Sequence, residues 1–225
     1  MLLRLIVVYA LFLGFMAALL FWPAGTFDWP GAWVFLAWSG IAGMAISLWL
    51  LRYDPGLLHE RLRLPIQKAQ VAGDKIFMTA VQLAWCGWVV LMALDAKRWH
   101  LTQLPTWLSG VGAALIVLGF AIVWLAFRVN SYAAPVVKIQ RERGQRIVTA
   151  GPYRIVRHPM YAGAGLYLIG MPLLLGSGYG LAIMPLLLAG LSTRIALEER
   201  TLSAEFPDYV EYAARVRFRL IPYVW

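Results

Sequence analysis

Four long apolar stretches, Leu2 to Phe21, Trp33 to Leu51, Ile76 to Leu94 and Trp107 to Phe127, dominate the first half of this 225-residue chain. Each has about the ~20 residues that a helix needs to cross ~30 Å of hydrocarbon. Inside a bilayer no water satisfies backbone N–H and C=O groups, and a helix satisfies them within the segment itself. The composition agrees: 61% of residues are hydrophobic, 14% are charged and mean hydropathy is +0.69, far from a soluble balance. The expected fold class is an all-α integral membrane protein with four long transmembrane helices.

A fifth apolar region, Met160 to Ile195, is too long for one crossing and is interrupted at Gly176-Ser177-Gly178. It reads as a C-terminal transmembrane hairpin of two shorter helices, with Pro172 and Pro185 placed to kink them. At ~1.5 Å per residue each arm only just spans the core, which fits a tilted or partly inserted hairpin. Arg4 ahead of an apolar run has the look of a signal peptide. That run exceeds a usual h-region and shows no small-x-small cleavage site, so an uncleaved first helix is expected.

The net charge of +9 raises the question of nucleic acid, and its placement answers it. Of the 20 Lys and Arg, only Lys97 and Arg98 fall in a loop on one side; the other 18 lie at Arg4, across Arg52 to Lys75, and from Arg128 onward. The bias of basic residues toward the cytoplasm puts both ends of the chain on that side. Anionic lipid head groups there suffice as partners, and no nucleic-acid partner is expected. A prokaryotic inner membrane is the expected location. The single cysteine, Cys86, lies in the third apolar stretch, and no Cys/His spacing points to zinc or another metal.

Residues 1–128 read as a transmembrane scaffold, with Trp22, Trp29, Trp33, Trp99 and Trp107 at the helix borders where amphipathic rings favour the interface. In the second loop, Arg52-Tyr53-Asp54-Pro55-Gly56 is a turn, and Leu57 to Arg63 has the two faces of an interfacial helix, with anchoring as its plainest role and gating or substrate contact as the alternative. Residues 129–225 form the region expected to carry the chemistry and to include a C-terminal helix. In it, Val136 to Gln140 and Gln145 to Thr149 flank Arg141-Glu142-Arg143-Gly144, which fits a small cytoplasmic β-hairpin.

That hairpin delivers the chain to GPYRIVRHPMYAG, residues 151–163. Pro159 suits the first helical position, because its φ is already helical and its missing N–H has no partner there in any case. His158 falls at the N-cap, where backbone donors and the helix dipole favour a carboxylate or phosphate, and Arg157 and His158 add side-chain donors. Gly163 and Gly165 let a ligand or a neighbouring helix approach closely. At the far end of the second arm stands Arg194-Ile195-Ala196-Leu197-Glu198-Glu199-Arg200. Carboxylates at a membrane boundary are costly unless paired or functional. Arg194 and Glu198 are spaced to pair, whereas Glu199 points about 100° away and needs another partner. A hairpin brings Arg157-His158 and Glu198-Glu199 to one face, where donors and carboxylates together suit a zwitterionic ligand. Taken singly, each feature also has an ordinary structural reading, as anchor, helix cap, charge balance or helix packing.

The ordered combination of GPYRIVRHPMYAG, an apolar hairpin, EER and FPDYVEYAARVRFRLIP resembles the isoprenylcysteine carboxyl methyltransferase family, and more loosely the phospholipid N-methyltransferases. The resemblance covers about residues 130 to 222. It implies S-adenosylmethionine as cofactor, held at the cytoplasmic end of the last helices and by the C-terminal segment. On that footing the methionyl carboxylate suits Arg157, His158 and the start of the helix at Pro159, with Gly163 one turn on. The ammonium suits Glu198 or Glu199, and Tyr153, Tyr161, Tyr209 or Tyr212 suit adenine or the sulfonium. For the family's substrate-site arginine, Arg215 and Arg219 are favoured over Arg217. The expected acceptor is a lipid-like or prenylated molecule methylated on a carboxylate, with Glu199 as a base if the acceptor is an amine. Phospholipid N-methylation, a nicotinamide-dependent membrane reductase and a non-catalytic membrane scaffold are the competing readings.

Overall fold

A computed structural model describes residues 2–63 and 72–225 of the chain; the stretch of the basic second loop at 64–71, with Lys68, lies outside the described residues. The fold is all-α, and among the described residues there is no β-strand. The long apolar stretches fold as α1 (Leu2–Ala24), α2 (Pro30–Tyr53), α4 (Ala72–Ala93) and α5 (Trp107–Phe127), with the short α3 (Pro55–Arg61) after α2. α4 runs on through a π-helical turn, Leu94–Trp99. The C-terminal region supplies α6 (Pro159–Leu175), α7 (Gly178–Ala182), α8 (Met184–Glu205) and α9 (Asp208–Arg215). Among the described residues, five helical segments are long and apolar enough to cross a membrane: Leu2–Ala24, Pro30–Tyr53, Thr79–Trp99, Trp107–Phe127 and Gly178–Glu205. The chain is an integral membrane protein. Apolar side chains such as Leu3, Leu11, Ile41 and Leu83 stay exposed on these helices, as a lipid-facing wall requires.

The interrupted apolar region forms an antiparallel pair of arms. α6 ends at Gly176, whose φ of +78° caps the helix in a conformation that glycine adopts without a Cβ clash. The return arm breaks once more at Ile183, just before Pro185 at the start of α8. The hairpin tip is held by Asp95, fully buried at the end of α4. It accepts hydrogen bonds from Thr102 N (2.9 Å), Thr102 Oγ1 (2.7 Å), Ser177 Oγ (2.6 Å) and Tyr179 N (3.1 Å). Trp88 Nε1 donates to Gly180 O at 2.9 Å, tying the same turn to α4.

α6 lies against α5 almost backbone to backbone. A Cβ on Gly119 would fall 2.6 Å from Gly163 O, and one on Gly170 would fall 2.7 Å from Gly112 O. Small residues one heptad apart on both helices make this approach, which gives close van der Waals contact where lipid offers no hydrophobic gain. Gly163 is thus a helix-packing residue.

The expected β-hairpin does not form. Arg141–Arg143 is a 3-10 turn closed by Gly144, and its flanks are joined by one backbone hydrogen bond, Gln145 N to Gln140 O at 3.3 Å, and by side chains rather than by a ladder. Gln145 Oε1 accepts from Gln140 N at 2.7 Å, and Gln140 Nε2 donates to Tyr132 O at 2.8 Å. Val136, Val137, Lys138 and Gln140 are all buried, so both faces of this segment pack inward. A surface hairpin would bury alternate residues only.

Candidate active site

α6 begins where the sequence dictates, with Pro159 at its first position and His158 as N-cap (φ −128°, ψ 61°). The His158 ring does not cap the helix. Its Nε2 lies 3.1 Å from Glu199 Oε1, across the hairpin on α8, and its ring stacks on Tyr161 with centroids 5.7 Å apart. The backbone donors are also used: Arg157 N donates to Phe218 O and His158 N to Arg219 O, each at 2.9 Å, which fastens the C-terminal segment to the helix start.

Glu199 is the centre of this arrangement. Besides His158, Arg157 Nε stands 3.1 Å from Oε1, at ion-pair distance without hydrogen-bond alignment, and Arg219 Nε donates to Oε2 at 2.9 Å. The protein's own carboxylate therefore occupies the place where the sequence led us to expect an external anion. Both of its oxygens are engaged and its side chain is 11% exposed, which makes it an organiser of cations rather than a free base. Arg157 carries five N–H donors, so pairing through Nε leaves donors for a ligand.

Arg157, His158 and Glu198 line a narrow cavity of about 90 Å³, open to solvent, together with Tyr153, Tyr161, Tyr209 and Tyr212. The far wall comes from the irregular segment after α5, including Asn130 and Gln145. The tyrosines are fixed by their hydroxyls. Tyr161 donates to Glu198 Oε2 at 2.6 Å, Tyr212 donates to Tyr153 O at 2.8 Å, and Tyr153 accepts from the Asn130 amide at 2.7 Å. Tyr209 differs: it is buried and its hydroxyl has no hydrogen-bond partner among the described residues. Burial holds the phenols of Tyr153 and Tyr209 well above their ordinary range and pushes Tyr212 to about 12, the nearby Arg157 charge opposing it and Glu199 adding to it. All three are neutral donors at physiological pH.

Of the residues singled out from the sequence, Tyr153, Arg157, His158, Tyr161, Glu198, Glu199, Tyr209 and Tyr212 come together, and Arg219 joins them through Glu199. Arg215 does not: with Arg154 and Arg217 it lines a separate hollow near the chain end. Gly163 faces α5, and Pro159 serves the helix start.

α3 falls on the segment that the sequence marks as an interfacial helix, and its charged side chains turn inward. Asp54 caps it by accepting from Leu57 N at 2.9 Å, and Glu60 makes a buried ion pair with Lys138, which fixes the irregular segment over the cavity. Arg61 donates to Ala133 O at 2.9 Å. The signal lay in the spacing: Arg61 follows Leu57 and Leu58 at helical intervals, on the face that turns inward. Arg61 also lines a second, open cavity of about 450 Å³ between α1, α2, α5 and α6, walled by apolar side chains such as Phe12, Leu50, Phe120 and Val123.

Among the described residues no three His, Cys, Asp or Glu side chains gather to hold a metal ion. Residues 107–208 match the family described as phospholipid methyltransferase. The chain is 33% identical over 113 residues to protein-S-isoprenylcysteine O-methyltransferase B of Arabidopsis thaliana, a match covering 49% of this chain and 57% of that protein. It is 32% identical over 120 residues to the cobalt-zinc-cadmium resistance protein CzcN of Cupriavidus metallidurans, covering 53% of this chain and 51% of that protein. The chain thus spans about half the length of the curated relatives it matches.

Proposed function

Because its C-terminal half is related to membrane methyltransferases of the isoprenylcysteine carboxyl type and to the phospholipid methyltransferases, we propose that this protein is an S-adenosylmethionine-dependent methyltransferase acting on a lipid-like acceptor, with a carboxylate oxygen as the favoured target. The observation that carries the reading is the meeting of Tyr153, Arg157, His158, Tyr161 and Glu198 from the matched region with Tyr209 and Tyr212 just beyond it, around one cavity at one end of the α6–α8 pair. We place this end on the cytoplasmic face, with the basic residues.

The residues fit the cofactor's chemistry. Arg157 has donors to spare for a methionyl carboxylate, and Glu198 lines the same cavity to meet an ammonium. Tyr153, Tyr209 and Tyr212 offer faces for adenine, and the unpaired Tyr209 hydroxyl is a buried donor awaiting an acceptor. When bound, S-adenosylmethionine supplies a sulfonium methyl; transfer to a carboxylate oxygen forms the C–O bond, breaks the C–S bond and leaves no proton to remove. The protein then needs only to align its ligands, and alignment is worth ~7–11 kcal/mol of a barrier. Glu199 contributes by holding Arg157, His158 and Arg219 in place.

The phospholipid methyltransferase match favours a second reading, methylation of an amine, which must lose a proton. Engagement of both Glu199 oxygens weighs against Glu199 as that base. Calorimetry of the purified protein in nanodiscs with S-adenosylhomocysteine is the test. Micromolar binding without added metal is expected, and no binding there alongside binding of NADPH would replace this reading with the reductase.

A further inference from the structure

The cavity between α1, α2, α5 and α6 is apolar over most of its wall, and among the described residues that line it Arg61 is the single charged side chain. Arg61 is held rather than neutralised. One nitrogen donates to Ala133 O at 2.9 Å and lies 4.0 Å from the Met160 sulfur, and the guanidinium carbon stands 4.5 Å from the centroid of the Phe127 ring. Among the described residues none of its contacts is a carboxylate. Loss of solvation lowers its pKa to about 10, the Tyr9 phenol opposing it and the nearby Arg194 charge adding to it, so it is still cationic at neutral pH. A crowded cation without a counter-ion is costly, and the anionic group of a ligand would offset that cost.

Its place is equally specific. Ala133 and Met160, which it touches, line the tyrosine-walled cavity, so Arg61 stands where the two cavities adjoin. Arg194, which donates to Pro135 O and lies 5.6 Å from the Tyr161 ring centroid, adds a second positive charge to this junction.

We propose that Arg61 is the anion anchor of the acceptor site: the carboxylate head of a single-chain amphiphile pairs with its guanidinium while the apolar tail fills the cavity between α1, α2, α5 and α6. The proposal rests on the methyltransferase reading for the methyl-transfer step, but not for binding of the amphiphile. It makes Arg61, outside the matched residues 107–208, the residue that selects an anionic acceptor over an amine, because a protonated amine is repelled by the charge that holds a carboxylate.

The test needs no turnover. Chain-brominated laurate, dodecanol and dodecylamine are titrated into protein in phosphatidylcholine nanodiscs, and quenching of tryptophan fluorescence reports occupancy. Laurate is expected to bind about tenfold more tightly than dodecanol, a difference of one charge-assisted pair, and dodecylamine more weakly than either. Arg61→Met should level laurate with dodecanol, and Arg61→Lys should restore part of the preference. Binding of S-adenosylhomocysteine, measured on the same samples, reports the fold of the variants and tests the methyltransferase reading separately. Equal binding of laurate and dodecanol by the unaltered protein overturns the proposal whatever the variants do. A laurate preference that survives in Arg61→Met does so too.

Discussion

Tyr209 sits at the tyrosine-walled cavity with a buried hydroxyl that finds no partner among the described residues, which costs about 1–3 kcal/mol relative to a satisfied one. Tyr209→Phe should therefore leave Tm unchanged or raise it slightly while weakening S-adenosylhomocysteine binding about tenfold. Thermal unfolding and calorimetry on one preparation decide this, and unchanged affinity would remove the hydroxyl from the site. Glu199→Gln behaves differently, because it strips the charge shared by Arg157, His158 and Arg219. With Arg219 at 37% exposed, solvent screens part of that loss, and about 1–3 kcal/mol of stability should go together with cofactor affinity. An unchanged Tm in Glu199→Gln would show that the cluster does not support the fold. At this scale the motif told which residues matter and not what they face. Arg157, His158 and the tyrosines were legible as a set. That Glu199 would fill the anion place was not, because it depends on a distance across the hairpin that spacing along the chain does not encode.

Helix against helix, the α5–α6 seam governs whether the cavity exists at all. Gly119 and Gly170 meet carbonyls of the opposite helix, so a side chain at either must push two backbones apart. Gly119→Leu should lower Tm by about 2–12 °C, at the ~2–4 °C per kcal/mol usual for a chain of this size, with about 1–3 kcal/mol lost to overpacking. It should loosen cofactor binding secondarily, because α6 carries His158. A differential scanning trace that matches the unaltered protein would show that the seam yields. The long helices were readable from apolar length alone, and so was the hairpin break at Gly176. The segment around Arg141 was not: its alternation of apolar and polar residues promised a ladder, and burial of Val136, Val137, Lys138 and Gln140 on both faces prevented one. α3 read as an anchor because its charges suggested solvent, whereas Glu60 is spent on Lys138 and Arg61 turns to the bilayer-side cavity.

Across the whole molecule, the proposed function assigns the two cavities different tasks. The tyrosine-walled cavity opens to solvent and suits a polar cofactor, and the apolar one between α1, α2, α5 and α6 suits a chain that never leaves hydrocarbon. An acceptor bridging them presents its head at the junction while its tail fixes the approach. Binding energy from such a remote tail is spent on positioning, so its loss lowers turnover as well as affinity. Methyl transfer to tailed carboxylates should therefore exceed transfer to their tailless head groups by at least about a hundredfold in kcat/KM, with part of the loss in kcat. Ala164→Phe, which places a ring in the apolar cavity, should depress the tailed reaction toward the tailless rate and spare S-adenosylhomocysteine binding, since Ala164 lines only that cavity among the two. Radiolabelled methyl transfer in nanodiscs, with tailed and tailless acceptors at matched concentration, measures both effects. If tailless acceptors react as well as tailed ones, the acceptor reaches the site from the solvent side, and the apolar cavity serves the packing of the bundle alone.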